Sequence, residues 1–282
     1  MMKIMSITKA IIPIAGWGTR RLPITKVIEK SMLPIGNRPI VDYVVEDCVK
    51  AGIKDIYLVI GEGECSQVKA YYGENLVLEK YLEERGKGDR IELMKTAPKG
   101  VNFHYVVQKD DGRYGTALPV AIAAEEFGID EAVAVLMGDD FIWEAEGGSE
   151  MANLIASVES EDESAIVGAT IAREDVSKYG VLEVVEGKLA GIVEKPSVEE
   201  APSSMINISK YVMSAEMLRM VVDYVKGNDF GPKDQEYMIT DPIFDYIRAG
   251  NVMRVLPMTG RYLDGGSLEG WLEANNVVCG SY

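Results

Sequence analysis

The sequence predicts an α/β fold with a mostly parallel mixed central sheet and an additional small β region in its second half. Two observations lead there. Short apolar runs rich in β-branched residues, KAIIPIA (9–15) and KDIYLVI (54–60), have the continuous hydrophobicity of strands buried on both faces. Between them Val41, Val44, Val45, Cys48 and Val49 recur at helical spacing and Gly52 closes the run. Strand, loop, helix and strand make a right-handed crossover, which places loops 16–38 and 61–66 at the carboxyl edge of the sheet. The expected architecture is therefore Rossmann-like and three-layered.

The alternation continues along the chain. NFHYVVQ (102–108) reads as a strand, a helix begins near Gly115, AVAVLM (132–137) is a strand ending at Gly-Asp-Asp, a helix covers 149–160, and SAIVGATIA (164–172) is again a strand. The pattern then changes to short β segments, VLEVVEG and KLAGIVEKP, with a turn at Gly187. Helical periodicity returns at 214–226, 235–249 and 267–277. There is no internal repeat and no Pro/Ser linker, and 282 residues suit one large core. A single domain over 1–282 is expected, divided into 9–140, 141–266 and a C-terminal helix at 267–282. Residues 74–100 read as an insertion. Its stripe of Leu76, Leu78, Tyr81 and Leu82, interspersed with charges, predicts a solvated helix covering a domain or subunit edge.

Composition narrows the chemistry. A net charge of −16 repels phosphate backbones and acidic lipids, so no nucleic-acid or membrane partner is expected. No run reaches the roughly 18 to 20 apolar residues of a membrane helix, and the opening apolar run is too short for a secretory signal, so a cytoplasmic protein is expected. Cys48, Cys65 and Cys279 are scattered, which argues against a disulfide framework or a zinc knuckle. His104 is the sole histidine, so triads and multi-histidine metal sites are out of reach. Lys, Arg, Asp and Glu are left to carry catalysis.

Positive charge gathers in one place. AIIPIAGWGTRRLPITKVIEKSMLPI (10–35) leaves the first strand at Gly16 and Gly18 and brings Arg20, Arg21, Lys26 and Lys30 together. Loops at this edge of a parallel sheet cradle phosphates with backbone N–H groups. The dinucleotide fingerprint would need a third glycine where Arg21 stands, and Gly-Lys-Ser/Thr is absent. With Pro23 and Pro34 anchoring its turns, the loop suits a triphosphate clamp.

AGWGTRRLPITKVIEKSMLP resembles the signature loop of the sugar-1-phosphate nucleotidylyltransferases, in particular the bacterial UTP:glucose-1-phosphate uridylyltransferases. The match continues in the family's order through VLMGDD, KYGVLEV, GIVEKP, EYMITDPI and RYLDGGSLEGWLEA, and the insertion resembles the uridylyltransferase branch. The resemblance implies a nucleotidyltransferase fold with a nucleotide-binding half at 9–140 and a sugar-phosphate-binding half at 141–266. It implies Mg²⁺-assisted in-line transfer of a uridylyl group from UTP to glucose 1-phosphate, and assembly as a homodimer or homotetramer. Arg20 would grip the departing pyrophosphate, with Arg21 as a helper, and Lys30 would reach the reacting phosphates. Ala15, Gly16, Gly18, Thr19, Gln108 and Gly115 would bind the nucleotide. Gln108 offers the donor and acceptor that the edge of uracil needs. Gly180, Glu194 and Lys195 would bind the sugar phosphate. Asp139 and Asp264 would hold Mg²⁺, with Asp140 as a second candidate. Alternatives are the same fold acting on another pair, such as dTTP or galactose 1-phosphate, and a non-catalytic sugar-nucleotide-binding regulator. The chain departs from the family at Trp17, expected to pack on the insertion, at Glu29 and Ser31 around Lys30, and at Arg113, Tyr114 and Thr116 around Gly115. Thr240 and Asp241 read as structural.

Overall fold

The computed structural model describes residues 7–63, 66–128, 130–231 and 235–280; Cys65 and the last two residues of the C-terminal stretch lie outside them. In chain order the first half contains β1 (Lys9–Pro13), a short pair β2 (Pro34–Ile35) and β3 (Arg38–Pro39), α1 (Ile40–Lys50), β4 (Asp55–Gly61), α2 (Ser66–Tyr72), α3 (Leu76–Glu84), β5 (Asn102–Gln108), α4 (Ala117–Phe127), β6 (Val133–Leu136) and β7 (Asp140–Trp143). The second half contains α5 (Glu150–Ser157), β8 (Ser164–Thr170), β9 (Gly180–Val185), β10 (Lys188–Glu194), β11 (Met205–Met213), α6 (Ala215–Gly227), α7 (Thr240–Arg248), β12 (Met253–Pro257), β13 (Arg261–Asp264) and α8 (Leu268–Cys279).

The main sheet runs β5-β4-β1-β6-β11-β8-β12-β10-β9. Its first four strands are parallel, β11 is antiparallel to both neighbours, β8 and β12 are parallel, and β9 and β10 form the expected hairpin. The sheet is mixed, with its parallel part concentrated in the first half. Alternation along β1 explains the layers. Ala10 and Ile12 join one core with Val41, Val44, Leu154 and Val278, from α1, α5 and α8, while Ile11 joins the other with Val120, Leu218 and Ile243, from α4, α6 and α7. Helices thus cover both faces of the sheet.

Several elements differ from the sequence expectation. Helix α7 begins at Thr240 rather than near 235, because the Tyr237 N–H and carbonyl are committed to Tyr114 O at 2.9 Å and Ala117 N at 2.8 Å. Strands β7, β11, β12 and β13 were not expected. β7 and β13 pair antiparallel as a separate ribbon, with Asp140 opposite Asp264. In the insertion α3 forms, capped by the Asn75 side chain accepting from Leu78 N at 3.0 Å, but only Leu82 of the apolar stripe is buried. Leu76, Leu78 and Tyr81 are exposed. His104 satisfies its ring locally, against Asp55 at 2.9 Å and stacked on Tyr57.

Candidate active site

A cavity of about 660 Å³ opens at the carboxyl ends of β1, β4, β5 and β6. Ala15, Gly16, Gly18, Thr19 and Arg20 from the basic loop line it, as do Gln108 and Gly115 on one side and Lys30, Asp139 and Asp264 on the other. The topology alone explains the convergence, since parallel strands end on one edge and their loops share it.

The loop is held from three directions. Gly18 turns through φ +61°, and a Cβ there would lie 3.0 Å from both Lys30 Cβ and Thr25 Cγ2, so a side chain is excluded on both counts. Thr25 Oγ1 donates to Gly18 O at 2.9 Å. Glu29 ties the loop to α2: its N–H donates to Gln67 Oε1 at 3.0 Å, and its carboxylate accepts from Gln67 N at 3.3 Å. Burial raises the Glu29 carboxyl above its ordinary value, against the Gln67 hydrogen bond. Ser31 is buried, with no hydrogen-bond partner for its hydroxyl among the described residues. By contrast a Cβ on Gly16 would meet nothing within 4 Å, which leaves its backbone open to a ligand.

Two expectations for the loop are corrected here. Arg21 does not line the cavity. It is 6% exposed, its guanidinium donates to the Ser267 carbonyl, and it lies 5.2 Å from the centroid of the Trp271 ring. Arg20, the adjacent residue, is exposed and faces the cavity. Trp17 is not packed away: it is 60% exposed and lines the cavity.

The carboxylates come from two separate stretches. Asp139 follows β6, and its Oδ2 accepts from Lys30 Nζ. Burial would raise its carboxyl, but the Lys30 ammonium beside it and Lys210 farther off hold it below the usual range. Asp264 ends β13, where Gly266 N donates to Oδ1 at 2.6 Å and Ser267 Oγ to Oδ2 at 2.8 Å. A Cβ on Gly266 would lie 2.9 Å from Asp264 Oδ1 and 3.0 Å from Lys30 Nζ, so ammonium and carboxylate flank one small space. Asp140 is turned elsewhere. Lys210 Nζ donates to its Oδ1 at 3.1 Å and Tyr262 Oη to its Oδ2 at 3.2 Å. Burial pushes Asp140 up to about 6, against the pull of Lys210 and helped by the negative charge of Asp139. Lys210, almost wholly buried, was missed in the sequence, although a lone Lys inside the apolar strand MINISKYVM is the signal that would have found it.

Of the carboxylates that line the cavity, Asp139 and Asp264, which flank the space beside Lys30, fit a hard divalent cation that takes its other ligands from phosphate oxygens and water. Among the described residues no cluster of three or more His, Cys, Asp or Glu side chains forms a closed protein cage.

The predicted sugar-phosphate residues sit beside this cavity rather than in its wall. Gly180 begins β9 and Glu194 ends β10, directly paired across the hairpin. A Cβ on Gly180 would lie 3.0 Å from Glu194 Oε1. Lys195 follows at φ +44°, its N–H donating to Tyr179 O at 3.0 Å, and both Glu194 and Lys195 are exposed. Tyr179, next to Gly180, does line the cavity and joins the two groups. Beside Gln108 in the cavity wall, Gly115 has φ +126°, and a Cβ there would meet the Tyr237 backbone at 2.5 Å, so no larger residue fits. Thr116 accepts from Ile239 N at 2.9 Å, near the start of α7. Thr240 is buried and Asp241 accepts from Tyr224 Oη at 2.5 Å, which agrees with their structural reading.

Comparison with known proteins adds four findings. The profile of the family described as nucleotidyl transferase matches residues 9–280. A Methanocaldococcus jannaschii protein provisionally named a UTP–glucose-1-phosphate uridylyltransferase is 37% identical over 274 residues, covering 95% of this chain and 92% of its own length. The Haemophilus influenzae UTP–glucose-1-phosphate uridylyltransferase is 34% identical, covering 94% of this chain and 91% of itself. Among solved structures, a UTP-bound UDP-glucose pyrophosphorylase from Acinetobacter baumannii superposes with a TM-score of 0.85 at 29% identity, over 97% of this chain and 93% of that one.

Proposed function

The chain belongs to the nucleotidyl transferase family, and on that premise we propose that it transfers a uridylyl group from UTP to glucose 1-phosphate, releasing pyrophosphate and UDP-glucose. The observation that carries the reading is the single cavity in which Gly16, Gly18, Arg20 and Lys30 meet Asp139 and Asp264. The names of the relatives, and the UTP bound in the Acinetobacter structure, agree with it.

In this reading the nucleotide lies over the ends of β1, β4 and β5, with the uracil edge against Gln108 and the backbone of Ala15, Gly16 and Gly115. Thr19 and Arg20 face the β- and γ-phosphates. A phosphate oxygen of glucose 1-phosphate attacks the α-phosphorus in line, the bond to the β-phosphate oxygen breaks, and pyrophosphate departs toward Arg20. No covalent enzyme intermediate is needed, so the protein's work is positioning and charge neutralisation. Lys30, between Asp139 and the space beside Gly266, neutralises charge on the phosphate under attack. Glu194 accepts from sugar hydroxyls, Gly180 lets the ring approach the backbone, and Lys195 meets the sugar phosphate. Asp139 and Asp264 would hold Mg²⁺, which supplies charge neutralisation and a template for the in-line geometry. We further expect a cytoplasmic homodimer or homotetramer; no helix among the described residues is long and apolar enough to cross a membrane.

The test is pyrophosphate release by purified protein with Mg²⁺ and a panel of nucleoside triphosphates and sugar 1-phosphates. UTP with glucose 1-phosphate is expected to give the highest kcat/KM. Preference for dTTP or for galactose 1-phosphate would reassign the substrates, and no release from any pair would refute catalysis.

A further inference from the structure

Among the described residues three that carry side chains have positive φ: Glu186, Lys195 and Ser209. Glu186 sits in the β9–β10 turn and Lys195 leaves β10 at the sugar-phosphate side. Ser209, at φ +53°, has no such turn to explain it, because it stands inside β11. A left-handed backbone is strained for any residue but glycine, and such strain is retained where a site makes use of it.

The surroundings say which site. The pairing of β11 with β8 shifts register between Asn207 and Tyr211, so Ser209 lies on an irregularity that takes it out of the ladder. Its carbonyl accepts from Met137 N at 3.3 Å, two residues before Asp139. Its N–H donates to Asn207 Oδ1 at 2.8 Å, and Asn207 Nδ2 in turn donates to Tyr211 Oη at 2.8 Å, which braces the bulge. Burial pushes the Tyr211 phenol up to about 12, with hydrogen bonds from the Asn207 and Ser209 side chains pulling against it. On the far side Ile206 pairs with Val181, the neighbour of Gly180. Ser209 therefore stands between the carboxylate Asp139 and the Gly180–Glu194 pair, and it lines the cavity alongside Tyr179.

We propose that the Ser209 hydroxyl is a specificity contact for the sugar 1-phosphate, hydrogen-bonded to one hydroxyl of the hexose. The inference rests on the uridylyl-transfer reading above and adds a residue to it. Where a glycine would be unstrained, a serine keeps one hydroxyl, which beside its hydrogen bond to Tyr211 can still accept one from the hexose, at the border between the phosphate and sugar sides.

Ser209→Ala and Ser209→Gly separate the hydroxyl from the backbone. Both are expected to lower kcat/KM for glucose 1-phosphate by about 3- to 10-fold with KM for UTP unchanged, the value of one hydrogen bond. Ser209→Gly, freed of strain, should also melt at a higher temperature than the wild type. Across 2-, 3-, 4- and 6-deoxyglucose 1-phosphate, one analogue should abolish the difference between wild type and both variants, identifying the hydroxyl contacted. Wild-type kcat/KM in Ser209→Ala would overturn the proposal, as would a loss confined to Ser209→Gly or one equal for all four analogues. A wild type that turns over no substrate pair would instead refute the assigned reaction, and this contact with it.

Discussion

In the first half of the molecule the site residues leave the carboxyl ends of parallel strands, whereas in the second half they leave the ends of antiparallel ones. Loops after β1 and β6 carry Gly16 to Lys30 and Asp139, and the end of β5 carries Gln108. Gly180 starts its strand, Glu194 ends the antiparallel neighbour, and Asp264 ends a strand paired to β7. The difference has a physical consequence. A parallel sheet gathers its loops on one edge whatever the details of register. An antiparallel pair brings two residues together only if the register is right, and a slip of one residue turns every side chain to the opposite face. The proposed nucleotide side is accordingly a cavity walled by loops, and the proposed sugar side is an exposed set of paired strand ends.

Four measurements would break or sharpen this contrast. The largest effect is expected where the halves meet. Asp139→Asn and Asp264→Asn should each lower kcat by about 10³-fold or more in saturating Mg²⁺ with the circular dichroism spectrum unchanged. Near-native kcat in either variant would mean that the two stretches do not share a metal. Within the antiparallel half alone, Lys195→Ala should raise KM for glucose 1-phosphate about 10-fold through loss of a charge-assisted hydrogen bond. Steady-state kinetics with UTP varied should show its KM unmoved, and a parallel rise would erase the division between the sides.

A smaller effect tests the bolt between the loop and the C-terminal helix. Arg21→Met removes the guanidinium from the Ser267 carbonyl and should cost about 2 kcal/mol of stability in urea unfolding. If it instead lowered kcat as much as Arg20→Ala does, with stability intact, Arg21 would belong to the clamp after all. The smallest effect lies in the scaffold of the second half, where Arg254 Nε and Nη2 donate to Glu163 at 2.7 and 3.0 Å. That pairing holds the Glu163 carboxyl below its ordinary value. A depressed carboxyl stabilises the fold above its ordinary titration range and loses that contribution as pH falls through the folded value. The stability difference between wild type and Glu163→Gln, about 0.5 kcal/mol near neutral pH, should therefore shrink toward zero in acid. A difference constant from neutral to strongly acidic pH would contradict the assignment.

Much of this was legible along the chain, and unevenly so. The early strands, the hairpin around Gly187 and the convergence of the basic loop with Gln108 and Asp139 follow from runs of buried residues and from the topology those runs require. The roles of Arg20 and Arg21 were not separable, because two adjacent arginines read alike until one is seen against Ser267 and Trp271 and the other against the cavity. Trp17 was equally opaque, since an indole suits a protein core and a ligand surface alike. Strand β11 went unseen because Asn207, Ser209 and Lys210 interrupt its apolar pattern. Each of them is accounted for only by partners distant in sequence or by the bulge itself.

By itself, then, the sequence determined the layered α/β order, the carboxyl edge as the place of chemistry and the local reversal of charge in a protein of net charge −16. These depend on periodicity and composition, which are local. The tertiary structure decided which of two arginines faces solvent, which aspartate faces Lys30 and which faces Lys210, and how Asp264 comes to lie opposite Asp140. Those outcomes depend on pairings across 70 residues or more, where burial, register and charge are set jointly by elements that no local window contains.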